Sequence, residues 1–244
     1  MKQHAATLVA ELKQAFRDLG RALGSREGLI LTFATLFFAM RFSLHEAEWL
    51  PDFLDRFYRY GHYRQVRLRV TSVLCYGILP LLVVLAIHRE SPTRNFGLRL
   101  PPTRWIVLTL GISAVHLATI PLWGEMAFMA DYYPMFKPAR RGGVVFWQWS
   151  ALMLVAMFSW EFVVRGYLML GLKPRFGMMA VLIQNVPFVI LHIGKPVEEL
   201  FFSVLAGLGL GLLAYVSNSV WPAVFLHGVG AFAMDFYLVY VRSG

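Results

Sequence analysis

Ser159-Trp160-Glu161-Phe162-Val163-Val164-Arg165-Gly166 sets two opposite charges in the middle of one of the most apolar segments of the chain. A carboxylate at the centre of a membrane helix costs about 2.5–3.5 kcal/mol on insertion scales, so a chain that keeps one there gives it a partner and a task. The partner is Arg165. It follows Glu161 by four residues, the helical spacing that puts both on one face with the acid in the favoured N-terminal position. The pair alone leaves two readings open, a self-neutralised lock between helices or part of a functional site.

The rest of the composition fits a lipid environment. Of 244 residues, 58% are hydrophobic and 15% charged, with a mean hydropathy of +0.57, whereas soluble domains run near a quarter charged. The net charge of +9 does not indicate nucleic acid, because the basic residues flank apolar runs, where they anchor spans and set topology. The single cysteine, Cys75, lies inside an apolar run. It can form no internal disulfide and supports no cysteine-based zinc site.

From Lys2 to Glu27, Leu8, Leu12, Phe16, Leu19 and Leu23 recur at steps of three and four, with Lys13, Arg17, Arg21 and Arg26 on other faces. That pattern predicts an amphipathic helix over residues 1–27 lying on the membrane surface. No small-residue cleavage site follows the first apolar run, so no cleavable signal peptide is expected. Spans are predicted at Gly28–Leu44, Val70–His88, Trp105–Met126, Val144–Leu170, Met178–Ile193, Leu200–Val216 and Trp221–Val241. The fold class is therefore all-α, a polytopic bundle of about seven spans behind a surface helix. Residues 28–142 form its N-terminal spans and loops, and 143–244 a four-span core, within one domain.

Between the spans, His45 to Arg69 reads as an extramembrane loop whose His45 and His62 are ordinary surface histidines. His116, alone on an apolar face, reads as a packing residue outside any site. Gln184, Asn185 and Pro187 interrupt the fifth span, and proline there frees a carbonyl that must meet protein or water. Ala206, Gly207, Gly209 and Gly211 in the sixth would let a neighbouring helix approach closely. Basic residues divide evenly between the two sides; an N-inside orientation is favoured because the outer total rests on one acid-rich loop.

The ionisable residues at membrane depth are Glu161, Arg165, His192, His227 and Asp235, all in the last four spans. Such residues converge on a bundle interior or a water-filled cavity. At 1.5 Å per residue, Glu161, Arg165 and His227 lie about 14, 8 and 11 Å from the inner ends, against about 22 Å for His192 and 23 Å for Asp235. His192 joins the others only if its interrupted helix starts late. Two histidines and a carboxylate can activate a water, through a divalent metal or as a hydrogen-bonded acid and base set. The same residues can also glue helices together.

Glu161-x-x-x-Arg165-Gly166, then Phe188-x-x-x-His192, then His227 in a final span, resembles the CPBP family of intramembrane proteases, which contains the prenyl (CAAX) endopeptidases and bacteriocin-processing or immunity (Abi-type) proteins. The resemblance covers roughly Gly143 to Tyr240. It implies that His192 and His227 hold the catalytic water or a metal such as zinc, and that Arg165 orients a carboxylate or the oxyanion. Two positions depart from the pattern. The family's first motif reads Glu-Glu-x-x-x-Arg with its first Glu as base, where this chain has Trp160. Its third reads His-x-x-x-Asn or Asp, where this chain has Ala231. Glu161 is then expected to take the base role, with Asp235, Glu198 and Glu199 in support.

These observations predict an intramembrane endopeptidase acting on membrane-associated or lipid-modified proteins, with catalytic Glu161, Arg165, His192 and His227. A divalent metal on His192 and His227 and a metal-free site are equally open. Membrane lipid and a peptide substrate are the expected partners, and a bacterial inner (cytoplasmic) membrane with the N-terminus inside is the expected location. Trp160 and Ala231 support a second expectation, a non-catalytic scaffold, assembly or immunity factor on the same fold.

Overall fold

The computed structural model describes residues 2–46 and 63–242, and among these residues the regular structure is entirely helical. Helix α1 (Lys2–Gly24) is followed by α2 (Arg26–Glu46), α3 (Arg64–His88), α4 (Thr103–Gly124), a short α5 (Ala127–Tyr132), α6 (Gly143–Phe176), α7 (Met179–Ile190), α8 (Val197–Ser217) and α9 (Trp221–Val241). Six of these helices are long and apolar enough to cross a membrane. The protein is an all-α polytopic integral membrane bundle.

The seventh apolar segment is a different object. Helix α7 has 12 residues, about 18 Å of rise against about 30 Å of hydrocarbon. Its shortness has a cause in α6, whose 34 residues continue through Pro174 before Gly177, at φ +52°, turns the chain. Helix α7 begins at Met179, where the span was expected, but the overrun of α6 to Phe176 carries the turn before it further along the bundle, and His192, just past the end of α7, thereby reaches the level of Glu161. The loop expected over His45–Arg69 is also shorter than its charge suggests, since α3 has begun by Arg64. Residues 47–62 of that loop, with His62, and the side chain of His45 lie outside the described residues.

Helix α6 is the axis of the bundle. In its most apolar window 78% of residues are buried, against 17–33% in the other spans, so its neighbours shield it from lipid while turning their own apolar faces outward. Those faces need no protein partner, because hydrocarbon is as apolar as leucine. Helix α9 packs antiparallel to α6 in a register fixed by side chains. The Gly143 amide donates to the Tyr240 hydroxyl at 2.9 Å, the Trp149 indole to Asp235 at 3.0 Å, and further along Glu161 meets His227.

Helices α7 and α8 meet through two of the small residues. A Cβ at Gly207 would fall 2.0 Å from Asn185 Oδ1, and one at Gly211 2.5 Å from Gln184 Nε2, whereas Gly209 faces open space. Gly166 is required for a similar reason, since a Cβ there would fall 2.8 Å from the Phe96 carbonyl oxygen. The exposed leucines and Phe16 of α1 touch no core, leaving that helix with one uncovered apolar stripe.

An ion pair ties the start of α2 to the chain beyond α3. Arg26 grips both oxygens of Glu90 at 2.5 and 3.0 Å and also donates to the Gly171 carbonyl. The Arg26 hydrogen bonds hold the Glu90 carboxyl below its ordinary range, against a smaller opposing effect of burial, with Asn95 assisting. A carboxyl lowered in this way stabilises the fold above its unfolded pKa, and the contribution is lost as pH falls through the folded value. Unfolding midpoints in detergent are therefore expected to drop below about pH 4.3, less steeply in Glu90→Gln than in the parent protein. Equal slopes would show that the pair contributes nothing.

Candidate active site

Glu161 sits where α6 changes geometry. The α-helix ends on this residue and Phe162–Leu170 is π-helical, a rare form that recurs at functional sites. Every residue from Ser159 to Leu172 is buried, so the two charges have no water to solvate them and must satisfy each other. Arg165 Nη1 donates to Glu161 Oε1 at 3.2 Å, and Nε lies 3.2 Å from Oε2. The remaining contacts of the guanidinium are the Gly207 carbonyl at 3.5 Å and the face of Phe188 at 3.9 Å. The glycine that lets α8 approach also supplies a carbonyl to Arg165, because a backbone lies open where no side chain covers it.

The histidines complete the arrangement. His227 Nδ1 donates to Glu161 Oε1 at 2.7 Å, and His192 Nδ1 donates to the Phe188 carbonyl at 2.8 Å. A carboxylate and a carbonyl both accept, so in neutral histidines each Nδ1 carries the proton and each Nε2 keeps a lone pair. The two rings are inclined by 19° with centroids 6.3 Å apart, too far to touch. Phe188 lies 4.6 Å from the His192 ring and 6.0 Å from that of His227. Trp160 closes another side at 5.9 and 6.4 Å. Glu161 and Arg165 have no exposed side-chain surface, while His227 retains 16%, making it the more open end of the group.

The structure thus brings Glu161, Arg165, His192 and His227 together and leaves Asp235, Glu198 and Glu199 outside their hydrogen-bonding reach. Asp235 lies two helical turns beyond His227 and accepts from Trp149. Glu199 accepts from the Tyr133 hydroxyl at 2.8 and 2.9 Å and from Lys195 at 2.6 Å, and Glu198 is exposed. The Glu199 group pins the turn after His192 to the loop after α5. Burial and then the Glu199 carboxylate raise the Tyr133 phenol well above its ordinary range, while burial lowers the Lys195 ammonium.

Two features had no sequence signal. Phe188 is the floor under Arg165 as well as a spacing mark before His192. Arg69, one of a run of loop-like arginines, is buried between the rings of Trp149 and Trp160, 5.7 and 5.9 Å from their centroids, with Met135 sulfur at 2.9 Å.

The donor set does not fit a catalytic zinc site, which needs three protein ligands and an open position. His192 and His227 offer one Nε2 each. Glu161 already accepts from His227 and faces Arg165, the place of a carboxylate that orients a histidine. Among the described residues no group of three His, Cys, Asp or Glu side chains converges for a metal.

The fold and this group define a helical membrane protein with a buried carboxylate–arginine–histidine–histidine site at mid-bundle. Residues 142–233, containing all four, match the family described as type II CAAX prenyl endopeptidase Rce1-like, in agreement with the CPBP resemblance of the three motifs. No curated protein and no solved structure matches the chain significantly.

Proposed function

We propose that this protein is an intramembrane endopeptidase that hydrolyses peptide bonds of membrane-associated or lipid-modified proteins, with His227 as the base for water and Glu161 orienting His227. One observation carries the reading, the 2.7 Å hydrogen bond between His227 Nδ1 and Glu161 Oε1. A buried carboxylate in that position fixes the tautomer, aims Nε2 away from itself and stabilises the imidazolium that forms. This reassigns the base role from Glu161, whose oxygens face Arg165 and His227. Arg165 is then a positioning residue, since its guanidinium is spent on Glu161 and the Gly207 carbonyl.

The water gives a proton to His227 Nε2 as its oxygen bonds to the peptide carbonyl carbon and the carbonyl π electrons move onto oxygen. His192 Nε2 accepts the second water hydrogen and orients the nucleophile. Collapse of the adduct breaks the C–N bond, and the departing nitrogen takes the proton from His227. The products are a carboxylic acid and an amine. In this reading α1 lies with its apolar stripe in the inner face of a bacterial cytoplasmic membrane, with the N-terminus inside.

The test is cleavage of a panel of membrane peptides, with and without lipid modification, by purified protein in liposomes. His227→Ala is expected to lower kcat by about 10²–10⁴-fold, the usual worth of a positioned base. Undiminished cleavage by His227→Ala would overturn the mechanism. A folded wild-type protein that cleaves nothing in the panel would assign the fold to the non-catalytic scaffold reading.

A further inference from the structure

A cleft of about 560 Å³ opens where the start of α2, the segment after α3 and the last turns of α6 and α8 come together. These are helix ends, so the cleft lies at the level of lipid headgroups and not of hydrocarbon. Lys173, on its α6 wall, is about 12 Å along the helix from Arg165, which sets the cleft apart from the Glu161 group. Its charges are not all paired. Arg26 and Glu90 neutralise each other. The Lys173 ammonium donates to the Tyr215 carbonyl at 2.7 Å and to Asn218 Oδ1 at 2.6 Å, and lies 4.0 Å from the centroid of the Tyr215 ring. Two neutral acceptors thus orient it, and among the described residues no carboxylate meets it. The exposed Arg94 guanidinium also lines the cleft and has no hydrogen-bond or ion-pair partner among the described residues. Against these two cations stands Glu27, which leaves the cleft with an excess of one positive charge.

An apolar groove of about 350 Å³ is built on the same helices, from Phe176 at the end of α6, Met179 and Leu182 on α7, and Leu208 and Leu212 on α8. Leu208, Leu212 and Tyr215 succeed one another at i, i+4 and i+7, a single stripe of α8, and Lys173 and Phe176 share the last turn of α6. The groove is the deeper of the two, since Leu212 and Leu208 lie about 4.5 and 10 Å further along α8 from its end than Tyr215. A polar pocket with excess positive charge at the surface, above an apolar channel on the same helices, has the layout of one phospholipid in its leaflet, and basic pockets between membrane helices bind such headgroups.

We infer that cleft and groove form a binding site for one anionic phospholipid, with its phosphodiester held by Lys173 and Arg94 and one acyl chain in the groove between α7 and α8. A phosphodiester carries a single negative charge and cancels the excess, whereas a headgroup with its own ammonium would restore it. Glu27 suits a headgroup that bears hydroxyls, because a carboxylate accepts from them, and a glycerol headgroup meets both conditions. The lipid bridges the ends of α6 and α8, the helices whose Arg165 and Gly207 meet deeper in the bundle. The inference stands whether or not the protein cleaves peptides.

The test counts the lipid retained by purified, delipidated protein in detergent, using native mass spectrometry. The probes are phosphatidylglycerol, phosphatidylcholine and diacylglycerol with the same chains, and soluble glycerophosphoglycerol as competitor. One phosphatidylglycerol per protein is expected, bound at least about fivefold more tightly than phosphatidylcholine. Arg94→Gln and Lys173→Gln are each expected to weaken it about fivefold, the worth of one basic residue beside an anionic headgroup. Arg104→Gln, at the start of α4 and outside the cleft, is expected to leave it unchanged. Arg94 has no hydrogen bond or ion pair to lose, so its removal probes the site in an intact fold, and unfolding midpoints without lipid check this for each variant. Equal retention of phosphatidylcholine and phosphatidylglycerol overturns the inference. A loss in Arg104→Gln as large as in Arg94→Gln also overturns it, by showing general attraction to a basic surface. Diacylglycerol bound as tightly as phosphatidylglycerol would leave a hydrocarbon groove without phosphate recognition. Displacement of the lipid by an equal concentration of soluble headgroup would leave a free-phosphate site, and either result overturns the inference.

Discussion

Arg165→Met is expected to destabilise the protein by about 3–5 kcal/mol, the range for removing one partner of a buried ion pair. The cost has little to do with the lost volume, since methionine can lie on Phe188 much as the guanidinium does. It comes from Glu161, which would keep one histidine as its hydrogen-bond partner in a place that admits no water. The Gly207 carbonyl would also lose a donor, although Gln184 still donates to it at 3.0 Å. Denaturant unfolding in detergent should therefore separate two doubles. Arg165→Met/Glu161→Gln replaces the charge as well and should recover a large part of the loss, because an apolar or neutral pair is often no worse than the ion pair it replaces. Arg165→Met/His227→Ala should recover none. If the single variant unfolds at the wild-type midpoint, Glu161 is solvated or protonated and the site is not the dry one described.

The stretch around Glu161 could be read so far ahead because its physics is local. Two charges four residues apart in an apolar run demand a helix, a common face and mutual neutralisation, whatever surrounds them. The same holds for the α1 stripe and for the small residues of α8, where three glycines mark an approach face although only Gly207 and Gly211 use it. What stayed hidden depended on where helices end. His192 comes level with His227 because α6 overruns and carries the turn before α7 with it, and that length does not follow from hydropathy, which saw only one more apolar segment. Arg69 was lost for the converse reason. Among several arginines in a polar stretch, nothing local says which one turns inward, since that depends on two tryptophans three turns apart on α6.

Charge also explains why the acids grouped with the site fall away from it. Glu198 and Glu199 follow His192 closely in the sequence, and Asp235 lies one turn past Ala231 on the same face of the last span. Two turns along α9 separate Asp235 from His227, however, and Lys195 and Tyr133 take Glu199 into a separate network. The site is consequently poor in carboxylates. One buried acid is shared by one arginine and one histidine, and no second carboxylate reaches either imidazole. A histidine can act as a base only when it begins neutral, so this scarcity suits the proposed chemistry.

Trp160→Glu tests that argument from the opposite side. The indole packs against both imidazoles and under Arg69, and its removal is expected to cost about 3–5 kcal/mol of stability, as for other large-to-small aromatic changes in cores. Arg69 would offset part of the price of the new carboxylate by pairing with it. The effect on rate should be the more informative. A second carboxylate beside His192 and His227 favours their protonated forms, and a protonated His227 cannot take a proton from water. At neutral pH kcat is expected to fall at least about tenfold, with recovery toward higher pH as the imidazole is released, the behaviour of a general base held below its working range. Trp160→Phe, which keeps the apolar wall and adds no charge, should lose far less. A rise in activity in Trp160→Glu at neutral pH would mean that the carboxylate itself activates water. His227 would then be an orienting group, and the division of labour proposed between Glu161 and His227 would have to be reversed.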